Sequence, residues 1–284
     1  MIRQLNPHSS VDIARLSDEN KQDYLFIFAV LPLICMARYC CEKIGQVIFL
    51  SSEAANKIRT KPKAFKLAVK KFEEATWKCA YYGFVATYGI VFLSWEPFLT
   101  DLFQYPNQVT PKITVYYIVQ ISFYLWMTVC LLWGDVRMKD FYQMTTHHIA
   151  TLCLLFLSYS FHLTHGGCLL MLLMDIADPF LELGKIFKYL EMETASLISF
   201  VMFLTSFIFL RIFLYPVYAL YPCIVHTWDL ALFLDRRGVY YAIDGFMVVL
   251  FCLNVYWAVL IIKVLVNKLI SGKMKDCRSD DEMD

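Results

Sequence analysis

Charged side chains are scarce in this sequence, at 18% of 284 residues, and glycine and proline are few, at 10 and 9. A soluble globular domain normally has about 25% charged residues. That shortage excludes an ordinary soluble domain, and the 59% hydrophobic and 17% aromatic content points to a polytopic, all-α membrane protein. The formal net charge of +1 carries no basic excess, so no nucleic-acid partner is expected. The first 23 residues contain no apolar core of a cleavable signal peptide, so the first span would both target and anchor the chain. There is no Asn-x-Ser/Thr sequon, no internal repeat and no low-complexity segment. The ten cysteines form no Cys-x-x-Cys pair, and Cys35, Cys79, Cys130, Cys153 and Cys252 fall inside apolar runs, which favours packing over metal or redox chemistry.

What is present is a series of apolar runs. A spanning helix needs roughly 20 mostly apolar residues, and seven windows qualify, at about 24–41, 77–95, 113–133, 145–164, 168–188, 195–220 and 239–262. The window 113–133 holds no Lys, Arg, Asp, Glu or His, whereas Arg38, Glu42 and Lys43 interrupt the first. The corresponding organisation is a polar N-terminus (1–23), a first anchor (24–50), a basic linker (51–75), a helical domain (76–270) and an acidic tail (271–284).

Basic residues mark the cytosolic side of short loops. Seven of them lie between positions 51 and 75 against three acids, and Arg137, Lys139, Lys185, Lys188 and the run from Lys263 to Arg278 fall on the same side. The loop 221–238, with Arg236 and Arg237 against Asp229 and Asp235, runs against this bias. The N-terminus is expected in a lumen and the C-terminus in the cytosol. Ser279 before three acids resembles a phosphorylation site, although a plain solvated tail is the simpler reading.

The polar residues concentrate in one stretch, 147–185. Charges inside a spanning helix cost several kcal/mol and mark pathways or reaction sites. Asp175, Asp178, Glu182 and Lys185 are spaced 3, 4 and 3, so on a continuous helix they share one face. His147, Thr151 and Ser158 share a face of the preceding helix. A link expected around His165-Gly166-Gly167 makes the two helices an antiparallel hairpin, with the histidine end of one beside the Asp178–Lys185 end of the other. Glu182 and Lys185 fit simple mutual neutralisation. The double histidine with two aspartates fits acid–base or nucleophilic work, because imidazole titrates near neutrality. A membrane di-iron centre would need more histidines than the six present, two of which, His8 and His226, lie far from the cluster in sequence, so no metal is expected. Metal-free acyl transfer needs only an imidazole, an orienting carboxylate and an oxyanion donor. Tyr159 is an unsuitable donor, lying about 16 Å of helical rise from His148.

The run "HH…SY…G…D..D..LE..K", formed by His147-His148, Ser158-Tyr159, Gly167, Asp175, Asp178, Leu181-Glu182 and Lys185, resembles the Lag1 motif of TLC-domain ceramide synthases. "KKFEEATWKCAYY" (70–82), "YYIVQISFYL" (116–125), "DVRMKDF" (135–141) and "LRIFLYP" (210–216) are similar as well, so the likeness covers roughly residues 20–280. The resemblance implies a six-helix bundle enclosing an acyl tunnel, preceded by one further helix, in the endoplasmic reticulum membrane. It implies an enzyme that joins fatty acyl-CoA to the amine of a sphingoid base, with no cofactor besides these substrates. His147, His148, Asp175 and Asp178 become the catalytic set, with His147 taking the acyl group and His148 positioning it or handling protons. Asp175 and Asp178 share the tasks of orienting histidine and accepting the ammonium proton. Arg137, Lys139, Glu182, Ser158 and Tyr159 are the substrate-binding candidates, and the loop 221–238 would influence chain length. Dimers are common in the family, and no motif here forces one. The 51–75 linker is too short for the Hox-like domain of many animal members.

Two departures stand out. Where the family reads His-Asp, this chain has Met174-Asp175, and His162 and His165 replace an Asn and an Arg. A divergent active enzyme, one with an altered substrate and a relative without catalysis are all compatible with Met174, and retention of the histidines and aspartates ranks activity first. The contrasting class is a non-enzymatic TLC-type membrane protein.

Overall fold

A computed structural model describes residues 22–93, 109–133, 140–225 and 237–271. Within them the chain is helical, with no strand. Helix α1 (Leu25–Leu50) leads through a short α2 (Glu53–Ile58) to α3 (Pro62–Tyr88), which ends in a wide π turn, Gly89–Leu93. Then come α4 (Pro111–Trp133), α5 (Phe141–Ser160), α6 (Thr164–Asp175), α7 (Asp178–Tyr189), α8 (Glu193–Phe207) and α9 (Arg237–Ser271). Helix α8 continues through two further π segments, Ile208–Leu214 and Pro216–Leu220.

Four of the described helical stretches are long and apolar enough to cross a membrane: Leu25–Leu50, Pro111–Trp133, Glu193–Val225 and Gly238–Ile270. The protein is a multi-pass membrane protein. Its apolar outer surface follows from that environment, with Phe28, Leu33, Phe213 and Tyr218 among many large side chains left exposed on the helices.

The structure refines three parts of the sequence reading. The apolar window 24–41 and the rest of the 24–50 anchor form one helix, because Arg38 and Glu42 pair at 2.6 Å one turn apart and so do not interrupt it. The linker 51–75 is largely helical, and α3 starts at Pro62, where a missing N–H costs nothing in the first turn. The hairpin link is residues 161–163, with His162 at φ 53, while His165, Gly166 and Gly167 lie inside α6.

Helix α1 packs on α3 and α4, α4 on α5, α5 on α9, and α3 on α7, which pairs with α8. Helix α6 touches α3, α4, α5 and the π stretch of α8. Its Cys168, Leu169, Met171 and Leu173 join one apolar core with Tyr117, Ile121 and Phe123 of α4. Gly167 permits this approach, since a Cβ there would stand 1.8 Å from the Tyr117 hydroxyl oxygen. That hydroxyl is shared with Ser158 Oγ at 3.0 Å and donates to the Thr164 carbonyl at 3.3 Å.

Three contacts identify the ends of the bundle. At one, Tyr24 meets Ser160 at 2.7 Å and Tyr159 donates to Asp23 at 2.6 Å, which joins the start of α1 to the end of α5. At the other, Lys57 of α2 pairs with Glu191 in the turn between α7 and α8.

Candidate active site

The helix carrying the acidic residues is broken, and the break organises the site. Pro179 has no N–H to continue the backbone ladder, so α6 stops at Asp175 and α7 restarts at Asp178. The four residues expected on one face consequently meet different partners. Asp175, fully buried, accepts from Gln120 Nε2 of α4, whose Oε1 accepts from Tyr81 of α3 at 2.9 Å. Asp178 accepts from Arg211 Nη2 at 2.7 Å. Glu182 accepts from Lys185 at 2.7 Å, the local pair expected for these two.

Arg211 stitches the break together. The same guanidinium donates to the Met174 carbonyl and lies 4.8 Å from the Phe207 ring centroid. Arginine commonly satisfies carbonyls at a helix C-terminus in this way. Arg211 is buried while its neighbours Phe209 and Phe213 face outward. The π turns carry an extra residue per turn, and such turns recur at functional sites.

The histidines occupy the first half of α5. His148 Nδ1 lies 3.1 Å from Thr128 Oγ1, and that hydroxyl already donates to the Tyr124 carbonyl at 2.6 Å. With its hydrogen committed, Thr128 accepts from Nδ1–H, which leaves the Nε2 lone pair of His148 unprotonated. His147 is held differently. Three rings meet it edge-on, with centroids at 5.4 Å (Trp257), 5.8 Å (His148) and 6.1 Å (Tyr124). Neither of its nitrogens has a hydrogen-bond partner among the described residues. Trp257 is itself fixed, donating from Nε1 to Asp140 Oδ2 at 3.3 Å. Asp140 precedes α5 but does not cap it, its buried carboxylate turning to the indole instead.

His147 and His148 therefore meet at Tyr124, one turn along α4 from Gln120, which holds Asp175. Ser158 and Tyr159 are placed apart, buried in the packing contacts with Tyr117, Thr114 and Asp23. Arg137, Lys139 and most of the loop 221–238 lie outside the described residues. Met174 packs with Leu154, Tyr215 and Leu250, and its sulfur accepts from Asn254 Nδ2 at 3.6 Å. Among the described residues, no group of three or more His, Cys, Asp or Glu is placed to hold a metal.

Sequence reading missed Tyr124, Gln120, Arg211, Asn254, Trp257 and Asp140. A signal existed for three of them: Gln120, Arg211 and Asn254 are polar residues within apolar runs. The two aromatic residues and Asp140, at a helix start, carried none.

An all-α, multi-pass membrane bundle with a histidine pair on α5 and two aspartates at the α6–α7 break defines the class. Residues 71–263 match the family model described as the TLC domain, and the chain belongs to that family. It is 32% identical to ceramide synthase LOH1 of Arabidopsis thaliana over 97% of this chain and 96% of the relative. It is 30% identical to ceramide synthase LOH2 of the same plant, over 92% and 90%. Human ceramide synthase 3 is 34% identical over 75% of this chain and 56% of that protein.

Proposed function

We propose that this protein is a ceramide synthase, transferring a fatty acyl group from acyl-CoA to the amine of a sphingoid base. The observation that carries the proposal is the His147 imidazole, oriented by three rings yet hydrogen-bonded to nothing among the described residues. A nucleophile needs a fixed orientation and an uncommitted lone pair. Family membership over most of the chain supports the substrate class.

In this reading His147 attacks the thioester carbonyl, CoA leaves as the thiol, and the amine then takes the acyl group from the acyl-imidazole. His148, with Nε2 unprotonated, handles a proton, and Asp175 or Asp178 accepts the proton that the sphingoid ammonium loses to become the attacking amine. Arg137, Lys139 and the basic 57–71 run would meet the CoA phosphates at a cytosolic mouth. The acyl tail would lie in a tunnel within the bundle, in the endoplasmic reticulum membrane.

Expression in cells deprived of their own ceramide synthases, with labelled sphingoid base, tests the reading. Wild type is expected to form labelled ceramide and His147→Ala to form none. Wild type that stays silent with every acyl-CoA length would favour the non-enzymatic membrane protein.

A further inference from the structure

Acyl transfer places negative charge on the carbonyl oxygen, and the residues assigned so far include no neutral donor for it. Arg211 is a cation, and its Nη2 is committed to Asp178 and the Met174 carbonyl. The Gln120 amide is committed to Asp175, and Thr128 to the Tyr124 carbonyl. Tyr159 points to Asp23 at the other end of the bundle. Tyr124 is different: its ring meets both imidazoles edge-on, at 6.1 Å and 5.7 Å, and its hydroxyl has no hydrogen-bond partner among the described residues. The phenol is buried, one turn along α4 from Gln120, the partner of Asp175.

From this placement we infer that Tyr124 is a catalytic residue, its hydroxyl donating a hydrogen bond to the substrate carbonyl oxygen as that oxygen becomes an alkoxide. The inference rests on the proposed acyl transfer and names the group that stabilises its two tetrahedral intermediates. In the first, an imidazole nitrogen of His147 forms a bond to the carbonyl carbon and the π pair moves onto oxygen, facing Tyr124. Collapse restores the carbonyl and breaks the C–S bond. The sulfur departs with the bonding pair and takes up the proton that the acyl-imidazolium loses from its second nitrogen. In the second, the amine nitrogen forms the new bond and the oxygen again carries the charge. Collapse then breaks the C–N bond to His147, and the proton lost by the amine goes to the departing imidazole. Tyr124 transfers no proton in either step; it lowers both barriers by donating to the oxygen. A neutral donor suits a site lined by two carboxylates, since no counter-charge is needed to hold it there.

Removing one such donor lowers kcat on the order of 100-fold. The test uses full-length protein in detergent–lipid micelles, measuring CoA thiol release and labelled ceramide. Tyr124→Phe keeps the ring contacts and deletes the hydroxyl. It is expected to lower kcat about 100-fold, leave KM for acyl-CoA within about two-fold, and leave the thermal unfolding midpoint unchanged. Replacing Tyr124 with a fluorinated tyrosine, a stronger donor, is expected to recover activity that Phe loses. A Tyr124→Phe protein with undiminished kcat beside an active wild type overturns the assignment while the acyl-transfer reading stands. A drop in unfolding midpoint matching the loss of activity, with no recovery by the fluorinated residue, overturns it in favour of packing. Wild type silent in both readouts overturns the acyl-transfer reading, and this inference with it.

Discussion

Gly167 shows how one residue can set the geometry of a membrane site from a distance. Its missing side chain lets α6 approach α4 closely enough that the Tyr117 hydroxyl occupies the space a Cβ would need. That hydroxyl also ties Ser158 of α5 to the same point. Gly167→Ala must push α6 away or displace Tyr117, and overpacking of this kind costs about 1–3 kcal/mol. The expected outcome is a lowered unfolding midpoint in detergent. Gly166→Ala, with no atom within 4 Å of its added Cβ, is expected to leave the midpoint unchanged or raise it slightly. At this scale much of the site could be read from sequence, since His147, His148, Asp175 and Asp178 announce themselves as polar groups in apolar runs. Their partners could not. The bonds of Asp175 to Gln120 and of Asp178 to Arg211 join positions 55 and 33 residues apart, and helical periodicity reports only neighbours three or four residues away.

The broken helix α6–α7 is where element-level reasoning and the structure part most clearly. A spacing of 3, 4 and 3 reads as one continuous face, yet Pro179 interrupts the ladder and sends Asp175 and Asp178 to partners on different helices. The sequence contained the breaker, but proline is tolerated in spanning helices when neighbours satisfy the freed groups, so its effect depended on where Arg211 stands. Arg211 is held at 9% side-chain exposure and Asp178 at 18%, so neither charge has much water to fall back on. Breaking a buried pair by removing one partner costs about 3–5 kcal/mol, because the remaining charge is left uncompensated. Arg211→Met is expected to lower unfolding stability by that order. The double variant R211M/D178N removes the stranded carboxylate and is expected to regain part of the loss, a coupling that a double-mutant cycle of thermal midpoints measures. Equal stability of Arg211→Met and wild type would show that the break holds without the ion pair.

For the molecule as a whole, hydropathy alone located the apolar runs, and alternation of their ends follows from the chain crossing back and forth. The structure adds which ends meet. Lys57 and Glu191 join the basic linker to the α7–α8 turn, while Asp23 and Tyr24 join the start of α1 to the end of α5. His147 lies near the start of α5, on the far side from Tyr159 by about 18 Å of helical rise, so the imidazoles belong to the Lys57–Glu191 end. Lysine and arginine in short loops bias orientation through the positive-inside effect, and here the basic linker, Lys185 and Lys188 all favour the same end for the cytosol. An inserted flexible segment bearing an Asn-Ser-Thr acceptor reports the side directly, since glycosylation occurs only in the lumen. Placed in the turn 161–163 it is expected to be glycosylated, and placed in the turn 190–192 it is expected to stay unmodified, as read by an endoglycosidase-sensitive mobility shift. The reverse pattern would put the imidazole end in the lumen, away from cytosolic acyl-CoA, and would remove the route by which the thioester reaches His147.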